Sequence, residues 1–509
     1  MKSYSVNNQR IVKNTIFLYI RMLLIMAVSL YTSRIVLKVL GIEDFGIFNV
    51  VGGLVSSFAF FSSSLSNATQ RFLNIELGKN DILGVTRIFS LSILIYIILV
   101  VAIVFIAECV GIWLLNNKLV IPIDRLSAAN WVFHTTIIGL AITLIGSVFD
   151  SVLIARENMK IYAYISILEV FLKLFIVFVL DWLDSDKLKL YAILFLLSHL
   201  LVKSISVVYC FRKYPECNFR FVWDTSLFGN MFRFIGWNGV GTAVWMINEQ
   251  GINVLLNMFF GPIINAARGV SFQVSSSINN FSNNFFTAVR PQIVKSYAGK
   301  EYEYFKKLIN TSSKYSFYLM WLLCLPVIIR SEGILELWLH DVPDYAPAFV
   351  QWILFFNCVN VLTNPFWCGV QAIGKLKKYI IVGSIIFLLA FPISYIFLKL
   401  NYSPVVVFQI LTIVRIVYLF ITIKLFCQLI DFSLIEYLRQ VIYPILKVLL
   451  FSWIVSIIAS ARIGDDLFGI ILMTILCLTI TFISIYVVGI TQDERRFMID
   501  KLCKIIGKC

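Results

Sequence analysis

The chain has 509 residues, of which 60% are hydrophobic and 14% are charged, and its formal net charge is +15. Soluble domains have about 25% charged residues, so this composition excludes an ordinary soluble fold. Apolar runs of about 20 residues, each long enough to cross the ~30 Å hydrocarbon core as a helix, recur along the chain. We therefore expect an all-α polytopic membrane protein and not a β-barrel, which would show shorter alternating segments.

The positive charge does not indicate a nucleic-acid partner. The lysines and arginines are spread over short connections between apolar runs, a pattern that sets membrane topology. The ten cysteines form no CxxC pair and no cluster with histidine at metal-ligand spacing. We therefore expect no metal, no cofactor and no nucleic acid.

Fourteen spans are predicted, with ends defined to within a few residues. If the N-terminus is inside, the internal connections carry most of the lysines and arginines that lie between spans, and the external connections are acid-rich. The positive-inside rule therefore predicts cytoplasmic N- and C-termini. The predicted spans are 14–38, 45–68, 87–114, 128–154, 163–181, 189–211, 233–258, 262–289, 308–330, 347–369, 379–399, 403–427, 445–461 and 467–489.

The first two predicted spans carry polar residues at membrane depth. They are joined by the turn GIEDFG at 41–46. Charges and amides are costly in a bilayer, so they should face a protein interior or a water-filled cavity. The residues concerned are Arg21 and Arg34 in the first span, the stripe Asn49, Ser56, Ser63 and Asn67 in the second, and Arg71 at its exit.

The pattern of this helix pair returns about 220 residues later. Gly41 aligns with Gly261, and the exit at Arg71 falls near Arg290. Six spans separate the two copies, so both run in the same direction through the membrane. Such a parallel repeat predicts two pseudo-symmetric six-helix lobes with a substrate site between them. We expect lobes at 1–231 and 232–430, followed by two further helices and a cytoplasmic tail at 431–509.

Spans seven and eight also carry polar faces. On span seven, Asn238, Glu249 and Asn253 lie on one side of a helix, and on span eight Arg268 and Asn279 do so. Two interpretations are open for Arg21, Glu249 and Arg268: they line a cavity, or they form buried ion pairs. Isolated serines on such helices commonly serve only close packing.

Other charges within the spans are expected to be structural. Glu169 and Lys173 are four residues apart and can neutralise each other. Lys203 can extend its amine to the interface, and Asp150 lies near a span end, where it can reach water. His134 is isolated in the sequence and is interpreted as a core residue.

The stretch SRIVLKVLGIEDFGIFNVVGGLVSSFAFFSSSLSNATQRFLNIELGK (33–79) resembles the first two helices of bacterial Wzx-type polysaccharide flippases. These belong to the multidrug/oligosaccharidyl-lipid/polysaccharide (MOP) exporter superfamily, which includes the multidrug and toxin extrusion (MATE) transporters. The span count and the segment NEQGINVLLNMFFGP (248–262) extend the resemblance over most of the chain.

The resemblance implies movement of undecaprenyl-diphosphate-linked oligosaccharides across the bacterial inner membrane for O-antigen, lipopolysaccharide, capsule or exopolysaccharide synthesis. It also implies a cavity that opens alternately to each side, contact with membrane lipids and with polysaccharide polymerase machinery, and no enzymatic activity. It assigns diphosphate binding to Arg21, Arg34, Arg71, Arg268 and Arg290, and the polar stripes add Asn49, Asn67, Asn238 and Asn279 for the sugars. Arginine suits phosphate because its planar fork can donate two hydrogen bonds.

Coupling and two competing functions remain open. Similar exporters use protons, sodium or membrane potential, and Glu249 is the first candidate for a coupling acid. A multidrug or cation antiporter of the same superfamily would favour an acidic cavity, whereas the mid-span charges here are mainly basic. A membrane polymerase or ligase would need long external loops, and all connections here are short. The sugar composition and the oligomeric state are not encoded in these patterns.

Overall fold

The computed structural model of the protein describes backbone residues 2–56, 58, 60–78, 81–156, 158–183, 185–221, 224–339, 341–492 and 494–495. Within these helices, the side chains of residues 2–23, of 233–243 and of several single positions lie outside the description. The predicted roles of Arg21, Asn67, Arg71 and Asn238 therefore fall outside the described side chains.

The described chain is helical, with no described residue in a β-strand. Eleven helices in the described ranges are long and apolar enough to cross a membrane. The protein is thus a multi-pass all-α membrane protein, as its composition predicts. The helices at predicted spans seven and eight, which carry polar faces, are not among these eleven.

The chain divides into two compact units, Met1–Gly269 and Val270–Cys509. The lobe boundary predicted at residue 231 is based on the internal repeat, whereas the division into compact units is based on contacts between residues. The lobe boundary therefore stays a prediction. The helices that begin in the first unit are α1 (Lys2–Ser56), α2 (Phe60–Gly78), α3 (Ile82–Ile106), α4 (Ile112–Asn117), α5 (Leu126–Ala155), α6 (Met159–Trp182), α7 (Lys187–Lys213), α8 (Thr225–Phe260) and α9 (Pro262–Ala298).

The core of the first unit forms around α5, which packs against α1, α2, α3 and α7. Apolar side chains from these helices make two buried clusters. Phe89 and Phe149, for example, meet edge to face with ring centroids 5.4 Å apart. This core orders α1 and α2, against which α8 packs.

Two glycines break the helices at the positions that the repeat predicts. Gly41 has φ 79° and ψ 167° within α1, and Gly261 has φ 77° and ψ −172° between α8 and α9. Glycine adopts this region without the steric cost that a Cβ imposes. The shared backbone conformation supports the alignment of Gly41 with Gly261.

One predicted span is wrong in its continuity. The sequence predicts a single helix over 45–68, but α1 ends at Ser56 and α2 begins at Phe60. The polar stripe expected on one helix is therefore divided between two. The apolar composition of this stretch hides the break, because a hydropathy pattern records burial in the membrane and not backbone continuity.

The second unit contains the rest of α9 and the helices that follow it. The last two long helices pack on the first helix that lies wholly in this unit, α10. These helices are α10 (Tyr302–Ile329), α11 (Ser331–Trp338), α12 (Ala346–Val361), α13 (Asn364–Ile373), α14 (Leu376–Lys399), α15 (Val405–Cys427), α16 (Leu434–Tyr437), α17 (Tyr443–Ser460) and α18 (Leu467–Ser484).

The segment after α18 is held to α10 by an ion pair. Lys314 is buried in α10, and its Nζ lies 2.7 Å from both carboxylate oxygens of Glu494. Glu494 also accepts a hydrogen bond from the backbone N–H of Thr491 at 2.8 Å, so the pair fixes the start of the tail. Burial alone would raise the pKa of Glu494, but the hydrogen bonds from Lys314 and Thr491 lower it below its usual value.

We expect Glu494→Gln to destabilise the protein at neutral pH by about 2 kcal/mol, because Lys314 would stay buried without its partner. Since the pKa of Glu494 is lowered in the folded state, the stabilisation is present above about pH 4.5 and is lost as the pH falls through the folded value. Thermal unfolding in detergent should therefore separate the variant from the parent at pH 7, and the difference should shrink as the pH falls below about 4.5. Glu303→Gln, which removes an exposed acid on the same helix, is the matched control.

Candidate substrate-binding site

Three buried asparagines form a chain of amide hydrogen bonds in the first unit. Asn257 accepts from the N–H of Val120 at 2.8 Å and donates to Oδ1 of Asn265 at 2.9 Å. Asn265 donates to the carbonyl and the Oδ1 of Asn253, both at 2.8 Å. Asn253 donates to the carbonyl of Asn49 at 3.2 Å. Buried amides are costly unless bonded, so this chain ties α8 and the start of α9 to α1 and to the α4–α5 connection.

Glycines allow the helices of this cluster to approach closely. A Cβ on Gly269 would lie 2.8 Å from the side chain of Asn49, and a Cβ on Gly46 would lie 1.9 Å from the carbonyl oxygen of Pro262. Asn49 itself donates to the carbonyl of Phe45 at 2.7 Å. The predicted ligand Asn49 therefore lies in a close helix contact, and its amide is partly occupied by its own helix.

Arg268 and Glu249 lie together beside these amides. Nη2 of Arg268 donates to the backbone carbonyl of Glu249 at 3.0 Å and lies 3.9 Å from its Oε1. The side chains are only 7% and 17% exposed. Among the described residues, Oε2 of Glu249 has no hydrogen-bond partner. Arg268 and Glu249 therefore form an ion pair, and the second oxygen of the Glu249 carboxylate has no described hydrogen-bond partner. Their cavity-lining role stays a prediction.

The polar face of α9 differs from the one that its sequence suggested. The predicted face is packed: Ser271, Ser275 and Ser282 are buried, and Asn279 donates to Oγ of Ser275 at 3.3 Å. The exposed polar residues lie on the neighbouring face, within about 80° of one another. They are Ser276, Asn280, Asn283 and Arg290.

This exposed stripe on α9 belongs to the second unit. Arg290 donates to Oε1 of Gln371 at 2.7 Å. Exposed amides, hydroxyls and a guanidinium cannot face lipid without cost, so a membrane helix that carries them should border an aqueous space. Sequence reasoning missed Asn280 and Asn283 because the doublets at 279–280 and 283–284 place amides on two faces at once.

The structure brings three of the predicted residues together and leaves others apart. Asn49, Glu249 and Arg268 share the first-unit cluster. Arg34 is an exposed residue of α1. The cluster members Asn257 and Asn265 were not predicted, although Asn257 lies four residues after Asn253 and so continues the same helix face.

A second buried arginine lies in the second unit. Nη2 of Arg415 donates to Oδ1 of Asn360 and to Oγ1 of Thr363, the latter at 2.6 Å. Its guanidinium lies 4.9 Å from the ring centroids of both Phe387 and Tyr418. Neutral oxygens and aromatic faces therefore hold this cation, and no ion pair joins it to any carboxylate in the described part of the chain.

The other charges within the spans pair with each other. The predicted contact of Lys173 with Glu169 is present at 2.7 Å. Lys203 and Asp150 bond to each other at 2.6 Å, a pairing that the sequence did not predict. His134 is also not isolated, since its Nδ1 lies 3.1 Å from Oε1 of Glu108. The last two pairs join different helices, which the spacing on a single helix cannot reveal.

Comparison with solved structures gives the fold. The chain is 14% identical to the lipid II flippase MurJ in an inward closed conformation, over 92% of this chain and 98% of that one, with a TM-score of 0.69. It is 14% identical to an inward-facing multidrug resistance MATE family transporter of the MOP superfamily, over 80% and 97% of the chains, with a TM-score of 0.66.

A MOP superfamily transporter from Pyrococcus furiosus, described by the reverse polarity of its binding pocket, gives a TM-score of 0.61 at 14% identity over 81% and 94% of the chains. No protein-family model and no curated protein matches the chain. At this identity the likeness defines the fold. The protein has the fold of MOP superfamily transporters and flippases.

Proposed function

We propose that the protein is a flippase of the bacterial cytoplasmic membrane. It moves undecaprenyl-diphosphate-linked oligosaccharides from the inner to the outer leaflet by alternating access, and it supplies the assembly of surface polysaccharide. The fold of MOP transporters and of a lipid II flippase is compatible with this activity. The match to the flippase also extends over more of this chain than the match to the multidrug transporter does.

The observation that carries the proposal is the chemistry of the exposed stripe on α9. Asn280 and Asn283 offer amides, and Ser276 offers a hydroxyl, which are the groups that sugars need for hydrogen bonding. Arg290 ends the stripe with a phosphate-binding guanidinium. A carrier of hydrophobic cations would need acids there, and this face of α9 presents none among its described residues.

The buried charges agree with an anionic substrate. On the long helices that the structure describes, the buried cations are Arg268, Lys314 and Arg415. The buried anion on these helices is Asp44, which is neutralised by an ion pair with Arg125. Lys314 is neutralised by Glu494, whereas Arg415 has only neutral partners. Since fixed cations raise the cost of a cationic cargo, this distribution disfavours the multidrug alternative.

The test is translocation in proteoliposomes. The purified protein should move a fluorescent undecaprenyl-diphosphate-linked oligosaccharide to the leaflet where an external lectin or glycosidase can reach it. Liposomes that contain no protein provide the inactive control. Efflux of a cationic dye without movement of the lipid-linked sugar would instead establish the multidrug alternative.

Glu249→Gln should change the dependence of translocation on a proton or sodium gradient while retaining substrate binding. The reason is the buried carboxylate, whose Oε2 has no described hydrogen-bond partner and can therefore accept a proton or a cation. The measurement compares initial rates with imposed gradients of each ion. An unaltered gradient dependence would assign coupling to another group, and Asp150→Asn is the comparison variant within the same unit.

A further inference from the structure

A shallow, open surface of about 620 Å³ lies along the exposed side of α7, and all the residues that line it belong to this helix. This surface is called the groove below, and its apolar part contains Leu201, Ile205 and Val208, which are 45%, 37% and 48% exposed. Arg212 and Lys213 close one end. The residues that line the groove all belong to the first unit, and none of them lies on α8 or α9.

The groove has the direction and length of one membrane leaflet. At 100° per residue, Leu201, Ile205, Val208 and Arg212 fall within about 60° of one another, so they form a straight stripe that ends in a guanidinium. From Leu201 to Lys213 the helix rises about 18 Å. Half of the hydrocarbon core is about 15 Å, so the stripe reaches from near the bilayer centre to the interface.

The basic end of the groove has the features of a membrane interface. Arg212 and Lys213 are exposed and form no ion pair with any described residue. Phe211, Phe219 and Phe221 are also exposed at this end of the helix, as expected for aromatic side chains at headgroup depth. The topology prediction places this end on the cytoplasmic side, where anionic lipids give the membrane a negative surface potential.

Tyr209, which also lines the groove, is held in place by hydrogen bonding. The hydroxyl of Tyr209 accepts from Nδ2 of Asn158 at 2.9 Å, which fixes the ring beside the stripe. The amide of Asn158 also donates to the hydroxyl of Tyr214 at 3.2 Å. The headgroup end is therefore partly preorganised, which lowers the entropic cost of binding.

We infer that this groove binds an anionic phospholipid of the cytoplasmic leaflet. One acyl chain lies on the stripe of Leu201, Ile205 and Val208, and the phosphate accepts hydrogen bonds from Arg212 with Lys213 beside it. A zwitterionic lipid offers the same chain and phosphate, but its own cation would lie next to two fixed cations. An undecaprenyl chain is far longer than the groove, so the transported lipid fits it poorly.

The test measures lipids retained by the purified full-length protein. After extraction from membranes of mixed composition, native mass spectrometry should show bound phosphatidylglycerol or cardiolipin in preference to phosphatidylethanolamine. In the double variant Arg212→Gln/Lys213→Gln, the affinity for added phosphatidylglycerol should fall roughly 30-fold, since each cation near an anionic surface contributes about a factor of five.

Two control variants separate this site from general electrostatics. Lys187→Gln/Lys189→Gln removes two cations from the opposite end of the same helix and should leave the affinity unchanged. Ile205→Asn keeps both cations but interrupts the apolar stripe, and it should weaken binding of the phospholipid more than that of free glycerol phosphate. Equal losses in both double variants would overturn the inference.

Two further outcomes would also overturn the assignment. If undecaprenyl phosphate displaces phosphatidylglycerol at equimolar concentration, the groove serves the transported lipid. If the purified protein is a dimer that the Ile205→Asn variant dissociates, the groove is a protein interface. None of these outcomes depends on translocation activity, so the inference and the proposed flippase function fail independently.

Discussion

Replacement of Arg268 by glutamine is expected to reduce translocation of the lipid-linked oligosaccharide by about 10- to 100-fold. This factor corresponds to the free energy of one lost charge-assisted hydrogen bond. The side chain is 7% exposed, and it lies on a helix that also carries the exposed polar stripe. Glutamine is shorter than arginine and supplies no charge for a diphosphate. The measurement is the initial translocation rate, normalised to the amount of protein in the liposomes.

The same substitution would also leave Glu249 without its cation, so a loss of activity could follow from instability. Breaking a buried pair costs about 3–5 kcal/mol, whereas removing both charges is often close to neutral. The double variant Glu249→Gln/Arg268→Gln should therefore recover the unfolding temperature of the parent but not its translocation rate. Recovery of both would show that Arg268 serves only to neutralise Glu249.

Arg34→Gln is the comparison variant among the arginines that the resemblance assigns to diphosphate binding. The resemblance assigns Arg34 the same role, but its side chain is exposed on α1. Exposed charges contribute at most about 1 kcal/mol, so translocation should fall by less than about fivefold. Equal losses for Arg34→Gln and Arg268→Gln would remove the distinction between the two arginines.

The sequence was sufficient to predict features that depend on the local backbone conformation and on composition. Gly41 and Gly261 could be aligned because each is followed by a comparable helix, and their matching positive φ values have a local steric cause. Membrane helices were found because a 30 Å apolar thickness needs about 20 apolar residues. Both signals are contained in a window of a few tens of residues.

The partners of the charged residues could not be predicted from such a short window of sequence. Lys203 has the helical spacing to meet His199 on α7, yet it bonds to Asp150 on α5. Lys314 pairs with Glu494, 180 positions later in the chain. Such pairs depend on how helices pack, and packing is determined by shape over many residues, which periodicity on one helix does not encode. The same limit explains why the exposed amides of Asn280 and Asn283 were not predicted.

Of the alanine substitutions at Gly46, Gly52 and Gly53 of α1, Gly46→Ala is expected to destabilise the protein most. The new Cβ would lie 1.9 Å from the carbonyl oxygen of Pro262 and 2.6 Å from its carbonyl carbon. These are backbone atoms at the start of α9, so no rotamer change can relieve the overlap. Overpacking of this kind costs about 3 kcal/mol and should move α9 away from α1.

The chain supplies its own controls for this substitution. A Cβ on Gly52 of the same helix meets nothing within 4 Å. Because alanine is the better helix former, Gly52→Ala should be neutral or should stabilise by up to about 1 kcal/mol. Gly53→Ala is intermediate, since its Cβ would lie 2.6 Å from the side-chain ends of Gln250 and Asn253, which can shift.

Unfolding temperatures should therefore rank Gly52→Ala first, Gly53→Ala second and Gly46→Ala last. Translocation should follow the same order, because displacement of the start of α9 moves Arg268 away from its position in the first unit. If Gly46→Ala unfolds at the temperature of Gly52→Ala, then α1 and α9 are not in backbone contact. If it is stable but inactive, the contact sets the position of the site more than the stability of the fold.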